Sequence, residues 1–420
     1  IGGGVIDSIV KNGKLIADRT GDSLVLKSVC DKDGNALQNI SGIGDLIRTD
    51  RADDIIEDNA IDIVVELIGG VHPAREIILS ALQRKKHIVT ANKALLSEHW
   101  KDIFKTASAN GVFVGFEASV GGGIPIIRVM RESFVSNNLD LIYGILNGTT
   151  NFVLTMMADN DCPFEKALAI AQEKGIEESD PELDISGKDS AYKLAILALL
   201  GFGIDISPGE IYTEGIDNIS PQDIKYAERW GYSIKLLAIA KSTSEGLQLR
   251  VHPTLLPSYH LLANVKGEDN AIFVRGDLVG ESLLYGKGAG RLPTASSIMG
   301  DIVEIARHIA FLDKKGAALY NPLYAAGSIR IVDEEELSIP YYLRFSVIDS
   351  TGVLAGISSV LAENDISIAS VSQEERREGQ TVPVIILTHK AREGDMRRAV
   401  AVIDKMDFVT EKTVVIRMEA

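Results

Sequence analysis

Short apolar runs alternate with amphipathic stretches through the first third of the chain. Near-continuous apolar runs bounded by turn residues predict buried strands, and the stretches between them have helical periodicity. The predicted strands are residues 24–30, 62–68, 87–90 and 112–116, and the predicted helices are residues 74–85 and 95–109. Because buried strands separated by helices are typical of a parallel sheet, we predict a Rossmann-like α/β domain over residues 1–125.

The pattern changes after this first domain. A β-rich part covers residues 247–286, and two strongly apolar helices are predicted at residues 189–200 and 294–310. We interpret residues 126–299 as an α+β domain for substrate binding, catalysis and dimerisation. About residues 300–325 are expected to return to the first domain.

A third unit follows an acidic run that ends at Pro340, and residues 331–340 are interpreted as a linker. The pattern beyond it predicts, in order, a strand at 341–348, a helix at 353–364, strands at 366–373 and 381–388, a helix at 393–405 and a strand at 412–418. This order is ferredoxin-like, so residues 340–420 are predicted to form a small domain of that fold.

Composition narrows the class of partner. The 420-residue chain has a formal net charge of −16, which argues against nucleic acid or an anionic membrane as a partner. Its two cysteines imply no disulfide framework and fit a reducing compartment. Apolar runs stay shorter than the roughly 18–20 residues that span a bilayer, and the start at Ile1 has no basic leader. The predicted location is the cytoplasm.

The most informative chemistry lies in residues 178–193, an acid-rich loop that leads into an apolar helix. Asp189 and Lys193 are four residues apart and therefore share one helix face. Burial lowers the pKa of a lysine while nearby carboxylates raise it, and a lysine under both influences is a candidate general acid or base. A solvated acidic loop is the alternative interpretation, and it fits Asp180 and Glu182 best.

Three further segments carry candidate binding residues in the first domain. The glycines from Gly2 to Gly4 open a helix, where backbone could approach a phosphate, although a disordered start fits equally well. Asp31 and Lys32 follow a predicted strand and leave NAD and NADP both open, because an acid favours the ribose hydroxyl and a base the 2′-phosphate. Lys93 follows the strand at 87–90, at the end of a parallel sheet where ligands bind.

Two more candidates lie in the second domain. Gly148 and Thr149 follow a predicted strand and either bind a small polar substrate or belong to the cap of the next helix. Gly288 lies in a glycine-rich turn before a Thr/Ser-capped helix, which suits a phosphate, a carboxamide or a plain loop.

Taken together these residues resemble the homoserine dehydrogenase family with a C-terminal ACT domain, over essentially the whole chain. The motifs that carry the resemblance are Gly2-Gly-Gly-Val, Ala91-Asn-Lys93, Glu117-Ala-Ser-Val-Gly-Gly-Gly-Ile-Pro125, Gly144-Ile-Leu-Asn-Gly-Thr-Thr-Asn151, residues 178–193, Gly288-Ala-Gly-Arg-Leu-Pro-Thr-Ala295 and Asp349-Ser-Thr-Gly-Val-Leu354. Gly2 corresponds to the third glycine of the family's dinucleotide fingerprint. The first strand and first two glycines are not in this sequence, so the resemblance is to an N-terminally truncated member.

The resemblance implies NAD- or NADP-dependent interconversion of L-homoserine and L-aspartate 4-semialdehyde, on the route to threonine, methionine and isoleucine. Hydride passes between the nicotinamide and the carbonyl carbon, and Lys193 exchanges the proton with the oxygen, with Asp189 beside it. The remaining implied roles are substrate binding by Glu178, Asp184, Gly148 and Thr149; cofactor binding by Gly2, Lys93 and Gly288; and a monovalent cation, usually Na⁺, near Glu117, Val120, Gly122 and Ile124.

The ACT resemblance adds an amino-acid effector, with threonine the obvious one, and a homodimer or homotetramer. Three alternatives compete with this reading. A 2-hydroxy-acid dehydrogenase needs a histidine–acid pair, and aspartate-semialdehyde dehydrogenase needs a cysteine nucleophile; neither is found in the motifs. A catalytically impaired amino-acid sensor is the third, and the intact stretch 178–193 argues against it.

Overall fold

The computed structural model describes residues 1–21, 23–38, 40, 45–176, 181–315, 329–373 and 379–419. Its first part alternates helices and short strands. The elements are α1 (Gly2–Thr20), β1 (Ser28–Cys30), α2 (Gly34–Gln38), β2 (Ile47–Thr49), α3 (Ala52–Ile56), β3 (Ile63–Glu66), α4 (Ala74–Gln83), β4 (His87–Thr90), α5 (Lys93–Asn110) and β5 (Val114–Gly115).

The strands of this part are all parallel. They form a three-stranded sheet in the order β3-β4-β5 and a two-stranded sheet of β1 and β2. The predicted strands at 62–68, 87–90 and 112–116 are therefore confirmed within a few residues. The strand predicted at 24–30 begins only at Ser28, because its partner β2 is three residues long and pairing starts where Lys27 accepts from Ile47.

The middle part is a large antiparallel sheet with helices on one face. The elements are α6 (Ile126–Arg128), β6 (Leu139–Ile145), α7 (Gly148–Asn160), α8 (Phe164–Glu173), α9 (Glu182–Ile185), α10 (Lys188–Phe202), β7 (Tyr212–Thr213), α11 (Pro221–Arg229), β8 (Tyr232–Thr243), β9 (Gly246–Pro257), β10 (Asp269–Gly276), β11 (Gly280–Lys287) and α12 (Arg291–Lys315). Alternation along β6 places Ile142 in the core under α10 and Tyr143 in a second core on the opposite face.

Helix α12 carries the chain back to α1. Its first residue lies so close to α1 that a Cβ on Gly4 would be 2.7 Å from the Arg291 carbonyl oxygen. Val5, Ala295 and Ile298 share a buried cluster between the two helices. Gly4 is thus required for helix packing, while Gly2 at the helix start stays free of close contacts.

The last part contains the predicted strand and helix order. The elements are β12 (Ser338–Ile339), β13 (Tyr341–Ile348), α13 (Val353–Glu363), β14 (Ile368–Ser372), β15 (Thr381–Thr388), β16 (Ala391–Arg392), α14 (Glu393–Ile403) and β17 (Val414–Met418). The main strands lie in the order β17-β13-β15-β14, and the predicted ferredoxin-like fold is confirmed.

This unit is joined to the middle part by the sheet itself. β17 pairs in parallel with β9, with Arg417 opposite Thr254, so ten strands form one continuous sheet. The predicted linker also pairs with the middle part, since the Leu247 N–H donates to the Arg330 carbonyl oxygen and the Leu247 carbonyl oxygen accepts from the Val332 N–H. The sequence predicted the unit but not the strand pairing that joins it to the middle part.

Within the described ranges, no helix is both long enough and apolar enough to cross a membrane.

Candidate active site

Asp189 and Lys193 lie on the first two turns of α10, on one face as their spacing predicted. The Lys193 ammonium donates to Asp189 Oδ2 at 2.7 Å and to the carbonyl oxygen of Leu146 at 2.6 Å. Both side chains are buried. Helix α10 can start here because Gly187 before it adopts a left-handed φ of 82°.

Lys93 reaches the same carboxylate from the first domain. It is the first residue of α5, whose start is capped by the Asn92 side chain accepting from Leu95 at 3.1 Å. The Lys93 ammonium donates to Asp189 Oδ1. Asp189 therefore lies between two lysines, one on each domain, and the site carries one positive charge in excess when both are protonated.

The two lysines differ in proton affinity. Burial lowers the pKa of Lys193, against the opposing effect of Asp189 and with a further lowering by Lys93. Burial would also lower the pKa of Lys93, but the Asp189 carboxylate outweighs it and raises that pKa. Burial opposes ionisation of Asp189, yet the two ammonium groups hold its pKa well below its usual range. Lys193 is thus the group that can lose a proton most readily.

The end of β6 holds the third contact of Asp189. The Asn147 side chain donates to Asp189 Oδ2 at 2.9 Å and accepts from the Thr150 backbone at 2.9 Å, which caps α7. The cap reading of this motif is therefore correct for Asn147. Gly148 and Thr149 follow it in the first turn, and the buried Thr149 hydroxyl is directed at the carbonyl oxygen of Ile176 at 3.4 Å.

The acidic stretch before α10 is only partly described. Glu178, predicted to bind substrate, lies outside the described residues, as does Asp180. Asp184 is half-buried in α9, close enough to raise the pKa of both Lys93 and Lys193. Glu182 is exposed and pairs with Lys188 at 3.3 Å, which agrees with its interpretation as a solvated acid.

A helix start and a strand end form the region expected to bind the cofactor. Gly2 lies in the first turn of α1, 3.9 Å from the Leu67 side chain if a Cβ is built on it. Glu66 at the end of β3 accepts from Ile68 at 2.7 Å and from the Thr90 hydroxyl at 2.6 Å, and so ties the ends of β3 and β4. Helix N-termini at the carboxyl ends of parallel strands are where dinucleotides bind.

The segment predicted to hold a cation is a tight turn against the Gly288 loop. Gly122 has φ 54°, and a Cβ on it would overlap the Gly288 carbonyl. The Gly122 carbonyl oxygen accepts from the Ser297 hydroxyl at 2.6 Å.

The Glu117 carboxylate lies in the same segment and accepts from the Ile127 and Arg128 backbone at 2.8 Å each. Burial raises the pKa of Glu117. Among the described residues, no group of three or more His, Cys, Asp or Glu could hold a metal ion. A cation here would depend mainly on backbone oxygens, which suit a hard ion.

Family models match three long segments of this chain, and known proteins match it over its whole length. Residues 1–117 match the homoserine dehydrogenase NAD-binding domain, residues 125–303 match homoserine dehydrogenase, and residues 341–407 match the ACT domain. A homoserine dehydrogenase of Pseudomonas aeruginosa is 40% identical and one of Neisseria gonorrhoeae is 38% identical, each over all of this chain and 96% of the relative. The chain belongs to the homoserine dehydrogenase family.

Solved homoserine dehydrogenases also share the fold. The crystal structure from Thiobacillus denitrificans matches with a TM-score of 0.93 and 41% identity, covering 100% of this chain and 96% of that chain. One from S. aureus matches with a TM-score of 0.76 and 31% identity over the same shares. The chain is therefore an oxidoreductase with a nicotinamide-cofactor domain, and none of these matches supports the sensor alternative.

Two buried polar residues near the site escaped the sequence analysis. Lys235 on β8 donates to Asn151 Oδ1 at 3.0 Å and to the Val265 carbonyl, and burial lowers its pKa to about 8. Asn270 on β10 is 1% exposed, and neither of its amide atoms has a hydrogen-bond partner among the described residues. The only signal in the sequence was a polar residue within or next to an apolar run.

Proposed function

We propose that this chain interconverts L-homoserine and L-aspartate 4-semialdehyde with Lys193 as the group that exchanges a proton with the substrate oxygen. The observation that carries the proposal is the arrangement of two lysines on one buried carboxylate, in which Lys193 is the one with the lowered pKa. A nicotinamide cofactor, when bound, supplies or accepts the hydride.

Lys193 acts in both directions. In the reduction, its ammonium stabilises the negative charge that grows on the carbonyl oxygen and then donates a proton to it. In the oxidation, neutral Lys193 accepts the hydroxyl proton. Lys93 keeps its proton throughout, because Asp189 raises its pKa, and supplies a constant positive charge beside Lys193.

The substrate would be oriented by the groups around this cluster. Asp184 and Glu178 supply carboxylates for the substrate ammonium, and the start of α7 at Gly148 and Thr149 presents backbone amides to a polar group. Asp184 supports this proposal by its position, half-buried and close to both lysines.

The cofactor would lie along the carboxyl ends of β3 and β4, from the start of α1 at Gly2 past Lys93 to the Gly288 turn. Asp31 and Lys32 are both exposed after β1, so each can meet the adenosine ribose. The archaeal homoserine dehydrogenase whose structure holds NADPH matches this chain with 27% identity and a TM-score of 0.55. The Kd values of NADH and NADPH for the unsubstituted chain show which form it prefers. The same Kd values for Asp31→Ala and Lys32→Ala show which residue sets that preference.

A monovalent cation such as Na⁺ would be held by carbonyl oxygens of the turn that contains Glu117, Val120, Gly122 and Ile124. It would stabilise the turn against the Gly288 loop. Thermal unfolding in NaCl compared with choline chloride tests this: an unchanged Tm at equal ionic strength argues against a cation.

We expect the C-terminal domain to regulate the enzyme, and the middle domain together with the C-terminal domain to form the assembly. We expect an amino-acid effector, threonine in the first instance, and a homodimer or homotetramer in the cytoplasm that serves threonine, methionine and isoleucine synthesis. Activity with and without L-threonine tests the effector, and sedimentation tests the assembly.

The decisive experiment follows oxidation of NADPH or NADH with L-aspartate 4-semialdehyde, and the reverse reaction with L-homoserine. Lys193→Ala is expected to abolish turnover and to leave cofactor binding intact. Lys188→Ala, at the exposed first residue of the same helix, serves as the matched control. Near-normal kcat for Lys193→Ala would refute the assignment.

A further inference from the structure

Asn270 is a buried amide without a hydrogen-bond partner among the described residues. It is the second residue of β10 and is 1% exposed, and neither Nδ2 nor Oδ1 makes a hydrogen bond within the described part of the chain. Buried side-chain amides are almost always hydrogen-bonded, because leaving them unpaired costs folding free energy. An exception of this kind beside a candidate active site calls for a ligand that completes it.

The strand pairing places this amide near the catalytic lysine. Ala271 pairs with Ile145, so Asn270 lies across from Leu146, the residue whose carbonyl oxygen accepts from Lys193 at 2.6 Å. Ile272, two residues further along β10, belongs to the core under α10. Side chains two apart on a strand share a face, so Asn270 is on the Lys193 side of the sheet.

Glycines surround the amide. A Cβ on Gly288 would overlap the amide group of Asn270, and one on Gly148 would lie 3.7 Å from Oδ1. Gly122 packs in turn against the backbone of Gly288. The absence of side chains at these three positions lets backbone segments of the proposed substrate, cofactor and cation regions meet around Asn270.

We propose that Asn270 is a cofactor-binding residue whose amide exchanges two hydrogen bonds with the carboxamide of the nicotinamide ring. This rests on the proposed function. The substrate ammonium only donates hydrogen bonds, and the substrate carboxylate and aldehyde only accept them. The homoserine hydroxyl and the ribose hydroxyls donate and accept through one oxygen atom. A primary carboxamide instead presents its N–H donor and its carbonyl acceptor side by side, as the side-chain amide of Asn270 does, so the two amides can satisfy each other at both atoms.

Such a pair would act on orientation rather than on chemistry. Asn270 is held on a strand between β6 and β11, whose positions are set by continuous pairing. A ring fixed at its carboxamide cannot turn about its bond to the ribose, so one face stays directed at the substrate. Residues on strands hold such a geometry better than residues on loops.

The test is a cycle between Asn270→Leu and a cofactor analogue. In 3-acetylpyridine adenine dinucleotide phosphate a methyl ketone replaces the carboxamide, so the ring substituent accepts hydrogen bonds but does not donate them. Kd values for the analogue and for NADP⁺ are measured by calorimetry on the full chain, with and without the substitution. Asn160→Leu, an exposed asparagine at the far end of α7, is the matched control.

We expect the unsubstituted chain to bind NADP⁺ about three- to tenfold more tightly than the analogue. The Leu variant should bind NADP⁺ more weakly and lose that preference, whereas Asn160→Leu keeps it. A Leu variant with the full preference, or an unsubstituted chain with none, overturns the proposal. If the Leu variant does not fold, Asn270→Asp takes its place. It keeps an acceptor and loses the donor, so it should prefer NADP⁺ over the analogue more strongly than Asn270 does, and an unchanged or lost preference counts against the proposal.

The cycle also separates this inference from the proposed function. A chain that shows the cycle but does not oxidise homoserine refutes the function and leaves Asn270 as a carboxamide-binding residue. A chain that oxidises homoserine without the cycle refutes only the role of Asn270.

Discussion

Two buried clusters in this molecule have the same arrangement of charges, two cations on one carboxylate, but differ in the cation that is buried. At the candidate active site, Lys93 and Lys193 share the carboxylate of Asp189. The second cluster lies at the junction, where the C-terminal domain meets the middle part. There Arg250 and Lys241 share the carboxylate of Glu419, and the Lys241 ammonium lies 2.6 Å from Glu419 Oε2. Each carboxylate also accepts from one neutral group, Asn147 in the first case and the Tyr143 hydroxyl at 2.5 Å in the second.

The difference lies in which cation is buried deepest. Lys193 is buried at the active site, and a lysine releases its proton more readily when burial lowers its pKa. At the junction the fully buried cation is Arg250, whose guanidinium offers five N–H donors to hydrogen bonds, while Lys241 is 31% exposed. The same charge arrangement thus suits proton transfer at the candidate active site and stabilises the contact between domains at the junction.

Other ion pairs near the junction also use a buried arginine as the cation. Arg344 on β13 pairs with Asp223 on α11 at 2.6 Å, and Arg417 on β17 pairs with Glu393 at 2.5 Å and reaches Glu214 at 2.5 Å. Each of these carboxylates, of which Asp223 and Glu393 are buried, is matched by an arginine, and a guanidinium does not serve as a proton donor in proteins.

The largest expected effect comes from giving the active site the junction's cation. Lys193→Arg keeps a positive charge beside Asp189 but removes a group that can release a proton. We expect kcat to fall by about 10²- to 10⁴-fold with little change in cofactor Kd. Lys188→Arg on the same helix is the control, measured by steady-state kinetics in both directions. Retained activity in Lys193→Arg would mean that charge alone is sufficient.

The second largest effect is expected from removing the buried cation at the junction. Arg250→Met leaves Glu419 buried with only the partly exposed Lys241, so the free energy of unfolding should fall by about 3 kcal/mol or more. Arg275→Met, which breaks an ion pair with Asp140 that is only half-buried, should cost about 1 kcal/mol or less.

A double substitution separates the two contributions in that loss. Arg250→Met with Glu419→Leu removes both charges, and part of the stability should return. Denaturant unfolding of all three variants measures this. Equal losses for Arg250→Met and Arg275→Met would remove the distinction between buried and exposed pairs.

A smaller effect is expected on the pH profile of the active site. Homoserine oxidation needs neutral Lys193, so kcat rises as the pH passes the pKa of that residue. Asp189 raises this pKa, and Asp189→Asn should therefore move the midpoint of the profile to lower pH. A midpoint that moves upward contradicts the assignment of Lys193 as the titrating group.

The smallest effect concerns acid stability at the junction. Burial would raise the pKa of Glu419, but Arg250 and Lys241 outweigh it and lower that pKa to about 2. The stability it contributes is present above its unfolded pKa and is lost as the pH falls through about 2. Glu419→Gln removes this titrating group, so the unfolding free energy should depend less steeply on pH below about 5. The slope should decrease by at most roughly 1.4 kcal/mol per pH unit. An unchanged slope would exclude Glu419 as a source of acid sensitivity.

How far the sequence predicts each cluster depends on the distance along the chain. Asp189 and Lys193 are a helical pair, and Lys93 follows a strand end in a parallel sheet, so local rules were sufficient to nominate all three. Arg250 and Glu419 are 169 residues apart and meet only because β17 pairs with β9. No local pattern specifies that pairing.

The same reasoning explains the other gaps. The strand and helix order of the C-terminal domain follows from its periodicity, whereas its fusion with the middle sheet does not. Asn270 was missed because it directly follows Glu268 and Asp269, so the sequence favours a polar turn before the apolar strand. Its meaning depends on Gly148 and Gly288, which approach it only in the folded chain.

The continuous sheet has a consequence for anyone who would shorten this protein. Removing the C-terminal domain would strip β9 of its neighbour at Thr254 and Leu255 and leave Arg250 without its carboxylate. The cut surface would be a bare strand edge beside an unmatched buried cation, which invites aggregation. A catalytic fragment would need a replacement strand and a neutral residue at position 250 before it could be expected to stay soluble.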